Sequence, residues 1–170
     1  MIKIITCIDL NGNIGKNNDL LFHLKADMQF FRKTTVDNIV VMGKNTYKSL
    51  NCKPLPKRLN VVLTDEEFEQ HENLIQIHGT NISLKELVYN LEKDYKQDIY
   101  IIGGAYVYNQ ALELELADEL LLTVVYEEVD GDVSINMNLV REKYEQIECL
   151  GMIFEDEYIA SIERWIKKEE

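Results

Sequence analysis

Short apolar, strand-like runs recur along this chain at residues 2–8, 39–42, 59–63, 74–77, 99–102 and 120–125, with helical stretches between several of them. Strands joined through helices return to one sheet by crossovers, so the alternation predicts a mostly parallel sheet with helices on both faces. The clearest helix covers residues 83–92, where Ser83 and Glu86 form a capping box ahead of Leu87, Val88 and Leu91 at helical spacing. After Asp132 the helical alternation stops, and residues 144–150 and 158–166 read as an antiparallel pair closing one edge. The expected fold is α/β, a mostly parallel central sheet flanked by helices on both faces, with an antiparallel C-terminal strand pair. No repeat, low-complexity run or linker divides the sequence, so one domain is expected over residues 1–170.

With 46% hydrophobic and 28% charged residues in 170, the chain can bury a core without a disulfide scaffold. Lys and Arg number 18 against 30 Asp and Glu, and a net charge of −12 opposes binding to a phosphate backbone, so nucleic acid is not an expected partner. Cys7, Cys52 and Cys149 are scattered without a C-x-x-C pair and read as free thiols in a reducing compartment. His23, His71 and His78 lack metal-ligand spacing, and no metal is expected. The N-terminus passes directly into Ile2, Ile4, Ile5 and Ile8, too short and interrupted for a signal peptide's apolar region or a membrane span. A cytoplasmic monomer without membrane contact is the expectation.

One carboxylate breaks the apolar pattern. Leu24, Met28 and Phe31 fall on one helical face, and Asp27 lies among them. Burying an unpaired carboxylate costs several kcal/mol, so such a residue needs solvent, a proton, or a cationic or hydrogen-bonding partner, and a ligand can be that partner. A first-turn position, where the helix dipole favours an anion, is the competing structural explanation. Ahead of it, residues 9–23 form a long connection rich in Asn and Gly, placed to cover whatever Asp27 contacts.

Two strand-to-helix junctions carry glycine. Val41-Met42 leads into Gly43-Lys44-Asn45-Thr46, and Ile101-Ile102 into Gly103-Gly104-Ala105. A strand end, a glycine and a helix start suit an anion, and open α/β sheets bind ligands at this edge, which makes a dinucleotide pyrophosphate plausible.

Ile14-Gly15, Leu24-Lys25-Ala26-Asp27 with Phe31, the Gly43 and Gly103 junctions, Pro54-Leu55-Pro56-Lys57-Arg58-Leu59-Asn60, Leu122-Thr123 and Asp130-Gly131-Asp132 form an ordered series. In order and spacing, over nearly the whole chain, the series resembles the chromosomal-type dihydrofolate reductases. The resemblance implies reduction of 7,8-dihydrofolate to tetrahydrofolate, by hydride transfer from NADPH to C6 and protonation at N5, in support of one-carbon metabolism and thymidylate and purine synthesis. Antifolate-type inhibitors would be further ligands.

The resemblance also implies roles. Asp27 would pair with the pterin 2-amino group and N3, buttressed by Thr123, with Leu20 and Phe22 completing the catalytic group. Ile5, Cys7, Met28, Phe31, Leu50, Leu55 and Ile102 would line the folate and nicotinamide pocket, and Arg58 would hold the glutamate tail's carboxylate bidentately. Gly43, Lys44, Asn45 and Thr46, with Gly103, Gly104, Ala105, Tyr106 and Val107, would surround the cofactor pyrophosphate. Lys44 and Thr64 would lie near the 2'-phosphate, and Tyr108 near the nicotinamide and the substrate. Cys7, Ile14, Gly15, Leu20, Leu63, Asp65, Ile102 and Gln110 complete the cofactor set, and Asp132 would hydrogen-bond the closed loop. Three departures stand out. Phe22 replaces the family's usual Trp and lacks its N–H donor, Leu21 and Lys25 stand where prolines are common, and Asp65 follows Thr64 where a small hydroxyl residue is frequent. A reductase for another pteridine or for a pyrimidine intermediate of flavin synthesis shares this fold, though Asp27 argues against the latter, and a non-catalytic binding protein is the remaining alternative.

Overall fold

Alternate side chains of the central strands enter two different cores, as the period-two geometry of a strand requires. Ile4, Ile39, Val41, Val61, Ile99, Ile101, Leu120 and Leu122 face one way, and Ile5, Val40, Met42, Val62, Tyr100 and Leu121 the other. The computed structural model describes residues 1–79 and 82–170. Along the chain it runs β1 (Ile2–Ile8), β2 (Asn13–Lys16), β3 (Asp19–Leu20), α1 (Lys25–Thr35), β4 (Ile39–Gly43), α2 (Lys44–Ser49), β5 (Leu59–Thr64) and β6 (Leu74–His78). It continues through α3 (Leu84–Asp94), β7 (Ile99–Gly103), α4 (Ala105–Glu113), β8 (Glu119–Val125), β9 (Val133–Ser134), α5 (Met137–Lys143), β10 (Tyr144–Glu155) and β11 (Tyr158–Lys167).

The main sheet has eight strands in the order β10-β11-β8-β1-β7-β4-β5-β6. The six from β8 to β6 are parallel, and β11 and β10 join antiparallel at the β8 edge, as the sequence pattern predicts. Helices α3, α4 and α5 cover the first face through Leu87, Val88, Leu91, Val107, Ala111, Leu112 and Val140. The second face is covered by Tyr47 of α2 and by Phe30 and Phe31 of α1, the latter two only partly buried. The predicted capping box is present: Ser83 Oγ accepts from Glu86 N at 3.1 Å, and Glu86 Oε2 from Ser83 N at 3.2 Å.

Two features depart from the sequence expectation. Helix α5 interrupts the segment after Asp132 where no further helix is expected; it is seven residues long, buries only Val140, and starts at Asn136, whose Oδ1 accepts from Asn138 N and Leu139 N. So short a helix has too few apolar positions to register as a period. The 9–23 connection is also more ordered than a bare loop, because β2 pairs with β3 and with β9 in a small second sheet. Asp9, fully buried, organises it by accepting hydrogen bonds from the backbone N–H groups of Asn11, Asn13 and Val129 and from Asn13 Nδ2. Gly12 adopts φ +83°, and a Cβ there would lie 2.7 Å from Met137 Cγ and 2.9 Å from Ile135 O, so the turn admits only glycine without rearrangement.

Candidate active site

Five parallel strands deliver their C-terminal ends to one edge of the sheet. Cys7 of β1 is in register with Thr123 of β8, Met42 of β4 with Gly103 of β7, and Gly43 with Leu63 of β5. Helix α1 runs beside this edge with an apolar face that the protein leaves largely open. Met28 is 49% exposed and Phe31 only partly covered, whereas Leu24, at the helix entry, is buried. An amphipathic helix normally buries its apolar stripe, so the open face marks a cleft.

Asp27 stands on the first turn of α1, in that cleft. Thr123 Oγ1 donates to Asp27 Oδ1 at 2.5 Å, and the Cys7 thiol lies beside the same carboxylate. No cation neighbours Asp27 among the described residues. Burial pushes its carboxyl above the ordinary carboxylate range, opposed by the hydrogen bonds from Thr123 and Cys7 and reinforced by the charge of Glu155. Burial, with Asp27 adjacent, likewise holds the Cys7 thiol above its usual range and therefore protonated.

Glu155 has a second part. Helix α1 has no side-chain cap of its own, since Leu24 occupies that position, and Glu155 of β10 supplies the acceptors, taking Lys25 N at 2.7 Å and Ala26 N at 3.1 Å. The turn that carries Asp27 is thus capped from 130 residues away. No local pattern in the sequence could reveal that pairing.

The far end of the cleft is cationic. Arg58 is 8% exposed, with Nε donating to Pro56 O at 2.9 Å and an NH1 group to Thr35 Oγ1 at 3.1 Å. Among the described residues neither Arg58 nor the neighbouring Arg32 pairs with a carboxylate. Burial and the charge of Arg32 lower the Arg58 proton affinity. From Asp27 to Thr35 the helix axis rises by about 12 Å, so α1 carries a carboxylate without a cation at its start and abuts the Arg58 guanidinium at its end.

At the β4 and β7 junctions, α2 and α4 begin without a side-chain cap and without an acidic residue in the first turn, which leaves their leading N–H groups available to an anion. Gly103 has φ +139°, and a Cβ there would sit 2.8 Å from Thr46 Oγ1, so the two junctions approach each other as closely as backbone allows. Lys44, Asn45, Ala105 and Gln110 lie at this rim, and Tyr106 is 80% exposed. Val107 and Tyr108 turn inward, the Tyr108 hydroxyl donating to Ile5 O at 2.9 Å. Ile5, Leu50, Leu55 and Ile102 belong to the core that underlies the cleft.

The 9–23 segment borders the cleft and is tethered to residues 129–135. Asn17 N donates to Asp132 Oδ2 at 2.9 Å, Asp132 N to Gly15 O at 3.0 Å, and Lys16 pairs with Asp130. Leu20 is 56% exposed, and Ile14 packs against the core. Phe22 is buried, edge to face with Tyr158 at a centroid separation of 5.3 Å, and packs with Val125, Ile153, Ala160 and Ile162. Its contribution here is shape alone.

The sequence matches the family model described as dihydrofolate reductase over residues 1–158. It is 39% identical over 130 residues to the dihydrofolate reductase of Haemophilus influenzae, covering 76% of this chain and 75% of that protein. Identity to the dihydrofolate reductase of Enterococcus faecium is 38% over 128 residues, 75% of this chain and 72% of that one. The bifunctional dihydrofolate reductase-thymidylate synthase of Paramecium tetraurelia is 32% identical over 145 residues, and the match spans 81% of this chain but 28% of that longer protein. Among solved structures, the dihydrofolate reductase from Enterococcus faecalis complexed with NADP(H) and RAB-propyl is similar with a TM-score of 0.82 at 28% identity, covering 99% of this chain and 97% of that one.

Proposed function

The chain belongs to the dihydrofolate reductase family of NADPH-dependent oxidoreductases, and from that premise we propose that it reduces dihydrofolate to tetrahydrofolate. The observation that carries this reading is the partly buried Asp27 carboxylate, without a neighbouring cation, on the open face of α1, with Arg58, free of any carboxylate partner among the described residues, at the other end of that helix. A pterin presents a 2-amino group and N3 as adjacent donors, and a carboxylate accepts both in one plane. The glutamate tail ends in carboxylates, which an arginine fork binds bidentately.

NADPH supplies the hydride for C6 when bound. The residues present suit it: the uncapped first turns of α2 and α4 would offer free N–H groups to a pyrophosphate, and Gly103, where a Cβ would meet Thr46 Oγ1, lets the two junctions converge on it. Thr123 keeps Asp27 oriented and offsets part of its desolvation, which favours the ionised carboxylate. Asp27 then favours the protonated N5 electrostatically while solvent delivers the proton, because the carboxylate contacts the far side of the pterin from N5. Ile5, Met28, Phe31, Leu50 and Leu55 hold the ring system in an apolar slot, and Leu20 with Ile14 closes it against water. Asp132, already bonded to Asn17 N, is read as the latch of that closure. The three unpaired thiols suit a reducing cytoplasm, where we place the enzyme as a monomer.

The test follows NADPH absorbance with and without dihydrofolate for the parent chain and Asp27→Asn. Dihydrofolate-dependent oxidation that falls by roughly a hundredfold or more in the variant at neutral pH is the expected result. Undiminished activity in a folded variant would sink the role of Asp27, and no oxidation in the parent would sink the function.

A further inference from the structure

Lys44 and Thr64 end adjacent strands or begin the helix beyond them, so their side chains share one surface at the rim of the cofactor cleft. Both are already engaged. Lys44 Nζ lies 2.6 Å from Asp65 Oδ1 and 3.6 Å from Glu66 Oε2, and Lys48, one helical turn on, places its Nζ 2.6 Å from the same Glu66 oxygen. Thr64 Oγ1 is closed into its own turn, accepting from Glu66 N at 2.9 Å and donating to Glu66 O at 3.0 Å. Two ammonium groups and two carboxylates sum to zero at a place where a dianionic phosphate needs net positive charge.

A phosphate arriving here must displace Asp65 and Glu66 from the lysines and then remain beside both carboxylates, a like-charge contact that opposes binding. A ribose 2'-hydroxyl meets the opposite situation, because it donates to a carboxylate without breaking an ion pair, the arrangement by which acidic residues accept the ribose of unphosphorylated dinucleotides elsewhere. Side-chain exposures of 35% for Lys44, 74% for Asp65, 40% for Lys48 and 44% for Glu66 leave all four screened by solvent, so the penalty is moderate and NADPH is weakened, not excluded.

We propose that Asp65 and Glu66 are specificity-determining residues that neutralise Lys44 and Lys48, and that NADH is consequently a second hydride donor for this enzyme. The inference rests on the cofactor reading given above. Hydride passes from the nicotinamide of NADH to C6 and a solvent proton to N5, releasing the oxidised dinucleotide, so the overall reaction is unchanged except at the adenosine ribose.

The test is calorimetric titration of NADP+ and of NAD+ into the parent chain, Asp65→Ser and Glu66→Gln, with steady-state rates on NADPH and NADH alongside. The parent is expected to bind the two within about thirtyfold of each other, and Asp65→Ser to tighten NADP+ roughly tenfold while weakening NAD+ about threefold, because the ribose hydroxyl loses its acceptor. Glu66→Gln, which keeps the backbone turn at Thr64, is expected to act in the same direction. A wider parent preference for NADP+, or a ratio that neither variant moves, overturns the proposal alone. Failure of both dinucleotides to bind overturns it together with the cofactor reading.

Discussion

In the proposed reaction Asp27 would serve the chemistry at a cost to the fold. Because burial raises its carboxyl above the ordinary range, the native chain binds that proton more strongly than the unfolded one. Its contribution to stability is therefore complete below the ordinary carboxylate pKa and is lost as pH rises through the raised value. Above that value the ionised side chain offers no such gain, so in that range Asp27→Asn should fold at least as stably as the parent while losing most activity, a pairing that urea midpoints and turnover measured on the same samples would test. Thr123→Val removes the hydroxyl that donates to Asp27, and the acid limb of the kcat/KM profile should move to higher pH. An unmoved limb would assign Thr123 to packing. Asp27 was legible in the sequence because it violates a period. Arg58 was legible only through the family resemblance, since by itself an arginine in a Pro-Lys-Arg loop reads as a solvated charge, and its burial against Thr35 and Pro56 shows only in the fold. Lys48 lay one helical turn beyond Lys44 and could have been noticed from spacing alone.

At the level of elements, the sheet was readable because each parallel strand is rich in apolar residues, and α3 because its capping box is local in sequence. What escaped are contacts between distant segments. Helix α1 is capped by Glu155 on β10, and Glu155→Ala should lower stability by about 1 kcal/mol, with faster amide exchange confined to the first turn of α1. Exchange that rises uniformly instead would show that the cap does not act locally. The small β3-β2-β9 sheet depends on Asp9 in the same way. Burial raises the Asp9 carboxyl, but the hydrogen bonds from Val129, Asn13 and Asn11 outweigh it and hold it below the ordinary range, so its stabilisation is present above the ordinary pKa and is lost as pH falls through the lowered value. Asp9→Ala strands those donors and should cost about 2 kcal/mol or more at neutral pH, a loss that shrinks in acid as the parent carboxylate is protonated.

The molecule as a whole carries a net charge of −12, and the few strong surface pairs, among them Arg164 with Glu119, do not offset it. Self-repulsion of this kind is screened by salt. The thermal midpoint at pH 7 should accordingly rise between low salt and about 0.3 M sodium chloride, and a fall would mean that attractive pairs dominate. The same acidic excess makes the cations at the end of α1 conspicuous, since Arg58 and Arg32 have no carboxylate partner among the described residues of a chain with carboxylates to spare. One consequence reaches back to how the protein is made. The strand β1 has only β7 and β8 as neighbours, and the turn bearing Asp27 is capped from β10. A nascent chain emerging from the ribosome must therefore hold its first apolar strand unpaired until residues 99–103 have emerged, and the helix bearing Asp27 uncapped until Glu155 has followed.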